Sequence, residues 1–350
     1  SGCLLMQIQE NISLRPYNTF GMDAKARYFA AFSSADELLG LNDRISVTGN
    51  LPVMILGGGS NILLTKDQEG WVLKNEIRGV QLLHEDPDHI YVRAGAGESW
   101  HGLVMYCIER NWAGIENLAL IPGCVGAAPM QNIGAYGVEL KDVFHSLEAL
   151  DTKKRSVVTF TLSDCAFGYR DSFFKHSEPG RYVILSVTLK LSKHPVFHVS
   201  YGAIKEELEK AGVKAYSIKA IADAVIRIRS SKLPDPAVTG NAGSFFKNPS
   251  IPATQFEVLK TAYPEVSGYP AADGTVKVAA GWLIEHSGPD ENISWKGYRV
   301  GDAGVHPRQA LVLVNYGKAN GEAIAALASA IQSSVFLKYN IKLEKEVNFY

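Results

Sequence analysis

Ser244 stands in Gly240-Asn241-Ala242-Gly243-Ser244-Phe245-Phe246-Lys247-Asn248-Pro249, a hydroxyl between a glycine and two aromatic rings. Such a serine serves a turn or, in a dry site, hands over a proton. With no G-x-S-x-G pattern and no histidine beside it, a nucleophilic role is disfavoured. Arg170 stands in Phe167-Gly168-Tyr169-Arg170-Asp171-Ser172. A guanidinium beside tyrosine suits two-point capture of a carboxylate, or pairs with Asp171 at the surface. Leu343-Glu344-Lys345-Glu346-Val347 alternates, so both glutamates should share one face, solvated or reactive. Lys232, in Ser231-Lys232-Leu233-Pro234-Asp235-Pro236, sits at a helix stop. The nine histidines show no metal-ligand spacing, His306-Pro307-Arg308 reads as loop, and no metal is expected.

Two glycine-rich segments suit a flat, anionic ligand. Gly57-Gly58-Gly59-Ser60-Asn61 lies between Val53-Met54-Ile55-Leu56 and Ile62-Leu63-Leu64, a strand, loop and strand. Consecutive glycines let backbone amides approach a ligand closely, or simply make a flexible turn. The G-x-G-x-x-G spacing and following helix of a Rossmann fold are missing. The longer stretch runs through Ile121-Pro122-Gly123-Cys124-Val125-Gly126-Ala127-Ala128-Pro129 and Gln131-Asn132-Ile133-Gly134-Ala135-Tyr136-Gly137. Its small side chains leave room for rings and phosphates, and its apolar residues favour order.

The elements that must position these residues form an α+β pattern in a chain of 350 residues, long enough for two or three domains. Ser34, with Glu37 three residues on, caps one helix; Ser99 caps another that buries Val104, Cys107 and Ile108. Segments 90–94, 156–161, 182–191 and 310–314 read as strands. Ile218, Ile221, Val225 and Ile228 share one face of a helix that stops before Pro234. Helices are expected over 252–262 and 276–286, and another buries Ile324, Leu327, Ile331 and Val335; residues 341–349 read as a strand.

Composition narrows the function. Hydrophobic residues at 46% and charged residues at 20% describe an ordinary folded protein. The net charge of −1 gives no long-range attraction to nucleic acid or an anionic membrane, so neither is an expected partner and any anion must be held by local groups. Cys3, Cys107, Cys124 and Cys165 lack a paired framework, which suits a reducing compartment. No apolar run approaches roughly 20 residues. The start, Ser1-Gly2-Cys3-Leu4-Leu5-Met6, lacks the basic residues and long apolar stretch of a signal peptide. A cytoplasmic monomer is the expectation.

Asn18-Thr19-Phe20-Gly21, the 57–61 loop and segments 121–137, 167–172, 232–236, 240–249, 279–284, 306–314 and 343–347 occur in family order. On these motifs the chain resembles the UDP-N-acetylenolpyruvoylglucosamine reductase (MurB) family over nearly its whole length, with 240–249 the most specific block. The resemblance implies a three-domain α+β flavoenzyme with an FAD-binding fold of the vanillyl-alcohol-oxidase type. Residues 1–78, with 340–350 returning to them, and 79–233 would bind FAD, and 234–339 the substrate. It also implies noncovalent FAD, NADPH as hydride donor, and UDP-N-acetylenolpyruvoylglucosamine as the substrate reduced to UDP-N-acetylmuramate in peptidoglycan precursor synthesis.

The same resemblance assigns roles. Gly57, Gly58, Gly59, Ser60, Asn61, Gly123, Ala127, Gly134 and Gly137 would contact the flavin, mostly by backbone. Tyr169, Tyr201, Lys232, Asn248 and Gln309 would surround the nucleotide sugar, and Tyr201-Gly202 matches the subgroup whose tyrosine loop folds over it. Hydride would pass from flavin nitrogen 5 to the terminal enolpyruvyl carbon. Arg170 would hold the substrate carboxylate and Ser244 would protonate carbon 2. Glu346 would help only if protonated or sharing a proton, since a bare carboxylate repels the developing charge. Lys345 departs from the proline common in relatives, and 306–309 differs around the glutamine. Two rivals share parts of the pattern. A flavin oxidase of the same superfamily would have no use for Ser244, Arg170 and Glu346 together; the other is a non-catalytic nucleotide-sugar binding module.

Overall fold

The computed structural model describes residues 7–350, so the reading of residues 1–6 lies outside the described residues. They fall into two compact units, each assembled from separated stretches of chain. One comprises the described residues up to Ile12 with Lys25–Gly59 and Gln68–Ser231; the other comprises Ser13–Ala24, Ser60–Asp67 and Lys232–Tyr350.

In the first unit, strands Lys25–Phe32 and Val53–Leu56 both run parallel to Gln68–Asn75. Parallel neighbours need a crossover, and helix Ala35–Val47 lies between the first two. Ser34 Oγ accepts from the Glu37 amide at 3.1 Å, as its position suggests. The Glu37 carboxylate closes on the Ser33 N–H at 2.6 Å, one residue earlier than a capping box would place it. Leu38, Leu41 and Ile45 bury the helix's inner face in a cluster with Phe32, Trp71 and Leu73.

A five-stranded antiparallel sheet completes this unit, ordered Ser156–Thr161, Phe144–Asp151, Tyr182–Ser192, His89–Gly95, Val80–Glu85. Helix Trp100–Glu109, capped by Ser99, and helix Ile218–Lys232, which ends before Pro234, share one apolar cluster with the sheet. Val125, Ala128 and Ile133 belong to that cluster, and this is what orders the small-residue stretch around them.

The second unit holds an antiparallel sheet ordered Gly240–Ser244, Val312–Asn315, Ala303–Val305, Arg299–Val300. Helix Gly321–Tyr339, capped by Asn320, buries Ile324, Leu327, Ile331 and Val335. A smaller sheet joins Ser250–Pro252, Thr275–Val278 and Gly268–Pro270, with helix Ala253–Ala262 following its first strand. Among the described residues, no helix is long and apolar enough to cross a membrane.

The single helix expected over 276–286 is instead strand Thr275–Val278 followed by helix Ala280–Glu285. Val276 and Val278 are β-branched and flank Lys277, which suits a sheet, and Ala279 (φ −67°, ψ 107°) breaks the run. The strand expected over 341–349 is regular only at Asn348–Phe349, parallel to Ile62–Leu63. A single bridge joins Lys345 to Phe246 upstream. The tail changes partner between those points, so Lys345 is exposed while Leu343 and Val347 are buried. The strand expected over 310–314 begins at Val312, because the Val312 N–H first closes a turn on Gln309 O.

Candidate active site

Ser244 ends its strand at a bulge. Asn241 pairs with Val314 and Ser244 with Val312, so Ala242 and Gly243 together oppose one residue. Gly243 adopts φ +69°, a left-handed backbone that most side chains resist, and its N–H donates to Asn241 Oδ1 at 2.9 Å. The Asn241 carboxamide nitrogen donates to Pro234 O and Thr239 O. Bulges re-aim the side chain that follows, and here that residue is Ser244, half-buried. The early Asn18-Thr19-Phe20-Gly21 motif lies alongside: Thr19 O accepts from the Asn241 N–H, and a Cβ on Gly240 would collide with Phe20 O.

Glu346 is tied to the same strand. Its N–H donates to Phe245 O at 2.8 Å, and the Lys247 N–H donates to Glu344 O at 2.9 Å. Asn61, at the end of the triple-glycine loop, donates from Nδ2 to Glu346 O at 3.2 Å. The two glutamates differ in setting. Glu344 is exposed and lies 3.8 Å from Lys247, while Glu346 is half-buried.

Asn248 and Gln309 flank the first turn of helix Ala280–Glu285. Asn248 Oδ1 accepts the Ala280 N–H at 3.0 Å, and a Cβ on Gly281 would stand 3.4 Å from Gln309 Oε1. The Gln309 turn is built on His306, which is buried. Its Nδ1 accepts the N–H groups of Arg308 and Gln309, each at 3.2 Å, so that nitrogen carries no proton. Burial, and then the Arg308 charge, hold the imidazole below its ordinary pKa. Lys232 is exposed at the end of its helix.

Arg170 belongs to the first unit, at the tip of a turn closed by Gly168 and Asp171. Its φ of +47° is uncommon for a residue with a side chain. Asp171 pairs with His176 at 2.8 Å, and Arg170 is turned elsewhere. Nη2 donates to Gly134 O at 2.8 Å, Nη1 lies 3.5 Å from Asn132 O, and Glu139 stands 4.0 Å away. The Tyr169 ring is 5.1 Å from the guanidinium carbon. Asn132, 0% exposed, holds this corner together. It donates to Glu139 Oε2 and Gly168 O and accepts from the Lys141 N–H.

The two glycine loops meet backbone to backbone in this unit. A Cβ on Gly58 would lie 3.1 Å from Gly123 Cα, and one on Gly57 would lie 3.5 Å from Cys124 Cβ. At the far end of the longer loop, Tyr136 shares a hydrogen bond with Arg229, whose Nε is buried without a partner among the described residues. Burial pulls the Arg229 guanidinium below its ordinary pKa and pushes the Tyr136 phenol above its own. Tyr201, 44% exposed, covers Gly137.

The expected residues thus fall in two sets. Ser60, Asn61, Lys232, Ser244, Asn248, Gln309 and Glu346 belong to the second unit, and the remainder to the first. A family model for an FAD binding domain matches residues 33–160, and one for the C-terminal domain of UDP-N-acetylenolpyruvoylglucosamine reductase matches residues 235–350. The chain is 50% identical to the UDP-N-acetylenolpyruvoylglucosamine reductase of Pseudomonas syringae pv. tomato, over 99% of this chain and 100% of that one. It is 52% identical to the enzyme of that name from Amoebophilus asiaticus, over 98% and 99%. The chain belongs to the UDP-N-acetylenolpyruvoylglucosamine reductase family. A solved reductase from Thermus caldophilus shares the fold, with a TM-score of 0.68 and 24% identity over 99% of this chain and 100% of that one. The α+β class and FAD-binding fold expected from the sequence are those of this reductase family.

The first unit fits FAD. Glycines at 57 and 58 let the two small-residue loops close backbone to backbone, which leaves main-chain amides and no bulky side chains where the loops meet, and the orphaned Arg229 Nε is a donor suited to an anionic or carbonyl-bearing ligand. Reading the sequence missed Arg229, Asn132 and Asn241. Arg229 had a signal, since it follows Val225 by one helical turn and so puts a charge on the buried stripe. Asn132 had none, because Gly168 comes from a distant turn, and Asn241 had none, because its bonds to Pro234, Thr239 and Gly243 belong to an irregular turn and bulge with no period.

Proposed function

We propose that this reductase converts UDP-N-acetylenolpyruvoylglucosamine to UDP-N-acetylmuramate in peptidoglycan precursor synthesis, with Ser244, Arg170 and Glu346 as its catalytic groups. Bound FAD supplies the hydride, drawn from NADPH. Hydride arriving at the terminal carbon of the enolpyruvyl ether leaves negative charge on carbon 2 and the carboxylate. Arg170 answers that charge. Its guanidinium is held by Gly134 O before substrate arrives, which is the preorganisation that electrostatic catalysis needs. Glu346 helps to stabilise the doubly charged species only when it is protonated or shares a proton, since a bare carboxylate would repel it. Ser244 Oγ gives its proton to carbon 2.

The observation that carries this reading is the bulge at Ala242–Gly243, which fixes Ser244 one residue from the Phe245 carbonyl that anchors Glu346. Lys232 is read as the diphosphate partner. Tyr169, Tyr201, Asn248 and Gln309 are read as nucleotide-sugar contacts, with Tyr201 marking the tyrosine-loop subgroup. Residues 57–61 with Gly123, Ala127, Gly134 and Gly137 are read as the noncovalent flavin contacts. On this reading 1–78 with 340–350, and 79–233, form the FAD-binding part and 234–339 the substrate domain of a cytoplasmic monomer. NADPH and substrate use one pocket in turn.

Ser244→Ala tests the assignment. The variant should keep its FAD and still accept hydride from NADPH, while substrate reduction falls by roughly 10²–10⁴-fold. Near-normal turnover removes Ser244 from the role.

A further inference from the structure

Asn117 is 2% exposed, and its carboxamide nitrogen donates two hydrogen bonds of 3.0 Å, one to Tyr136 O and one to His198 O. The first acceptor lies in the small-residue stretch that ends at Gly137. The second precedes Tyr201 by three positions. One side chain thus fills its whole donor capacity on two main-chain carbonyls, one from each loop.

The loops also interlock beyond the anchor. A Cβ on Gly137 would meet the Tyr201 side chain at 3.4 Å, and a Cβ on Gly202 would meet the Tyr136 ring at 3.2 Å. Gly137 (φ +80°) and Gly202 (φ +63°) are both left-handed, so each tyrosine covers the glycine next to the other. The neighbouring Glu116 is engaged differently, accepting the Gly114 N–H at 2.7 Å within its own loop.

With Tyr201 read as a nucleotide-sugar contact, as above, we propose that Asn117 is a positioning residue for the substrate site. It fixes the segment before Tyr201 on the Gly134–Gly137 edge, so that the tyrosine stands where the nucleotide sugar binds. Only a side chain with two N–H donors on one atom does this. Leucine or aspartate, of similar size, would leave two carbonyls without donors.

The test uses Asn117→Leu and Asn117→Asp in the FAD-loaded enzyme. Bound FAD, and the rate at which NADPH bleaches it, should stay within about twofold of the parent, because the anchor acts on the substrate loop. The KM for UDP-N-acetylenolpyruvoylglucosamine should rise roughly tenfold, and amide hydrogen exchange across 196–203 should accelerate. In a Tyr201→Ala background, Asn117→Leu should add less than about twofold to KM, since both act through one contact. If Tyr201→Ala raises KM but a folded Asn117 variant does not, the anchor is overturned and the Tyr201 reading survives. If Tyr201→Ala leaves KM unchanged, it is the Tyr201 reading that fails. Loss of FAD as the main effect also overturns the proposal, because Asn117 would then serve the cofactor through Tyr136. One measurement needs no variant: amides of 198–201 and 134–137 in the parent protein should open together, and independent exchange rates sink the anchor.

Discussion

Gly134 and Arg170 leave each other no spare room: Nη2 donates to Gly134 O at 2.8 Å, and a Cβ on Gly134 would stand 2.8 Å from Nη1. Gly134→Ala must therefore move the guanidinium. A misplacement on the order of an ångström costs about 10²-fold where a group must be held in register with a reacting atom. We expect kcat to fall by that order, with a modest loss of melting temperature beside it, because the same Cβ would stand 3.0 Å from both Glu139 Cγ and Val138 O. Unaltered kcat would separate Arg170 from the chemistry.

Gly243 tests the bulge. Nothing lies within 4 Å of a Cβ built there, so a side chain has space, but φ of +69° strains it. Left-handed backbone costs about 1–2 kcal/mol for most side chains, and less for asparagine. Substitutions should rank asparagine, then alanine, then valine, in order of falling melting temperature. Turnover should fall in the same order and more steeply, because the strain is relieved by re-aiming Ser244. Stability lost with turnover intact would sink the link between bulge and proton donor.

His306 gives a pH dependence of known sign. Burial first, and Arg308 second, lower its pKa in the folded chain. Folding therefore favours the neutral ring, whose Nδ1 accepts from Arg308 and Gln309. Its contribution is complete above the unfolded value of about 6.5 and is lost as pH falls below that toward the lowered folded value. His306→Asn keeps an acceptor that does not titrate. Denaturant midpoints at neutral and mildly acid pH should converge less for the parent than for this variant. Equal acid sensitivity of the two proteins would show that the ring does not titrate against folding.

Arg229 carries a buried guanidinium with an orphaned Nε. Replacing a poorly compensated buried charge with an apolar side chain of similar reach is often neutral or stabilising. Arg229→Met should thus melt no lower than the parent when both are stripped of cofactor, yet hold FAD at least roughly tenfold less tightly, as expected for loss of a charged hydrogen bond. Titration calorimetry of the apoproteins decides it. Unchanged FAD affinity would mean that the guanidinium serves Tyr136 alone.

Much of the fold was legible because local signals agreed with it. Ser34, Ser99 and the 218–228 apolar face needed only caps and a 3.6-residue period. Residues 276–286 misled because Val276, Val278, Ala280, Leu283 and Ile284 satisfy a strand at one end and a helix at the other. The tail misled because alternation says nothing of a change of partner between Lys345 and Asn348. At the candidate site, residue types pointed to Ser244 and Arg170, but not to what aims them. The Ala242–Gly243 bulge is a register shift against Val314 and Val312, seventy positions away. Asn132 and Asn117 hold main-chain and side-chain groups of other turns that no periodicity reveals.

The second unit takes Ser13–Ala24 and Ser60–Asp67 from the start of the chain and everything else from Lys232 onward. During synthesis those two early pieces leave the ribosome long before their partners exist. Phe20 waits for Phe245, its edge-on neighbour at 6.2 Å, and Ile62–Leu63 for Asn348–Phe349, far along the chain. This unit cannot mature before those late residues have been made, and no single cut yields it as a self-sufficient fragment.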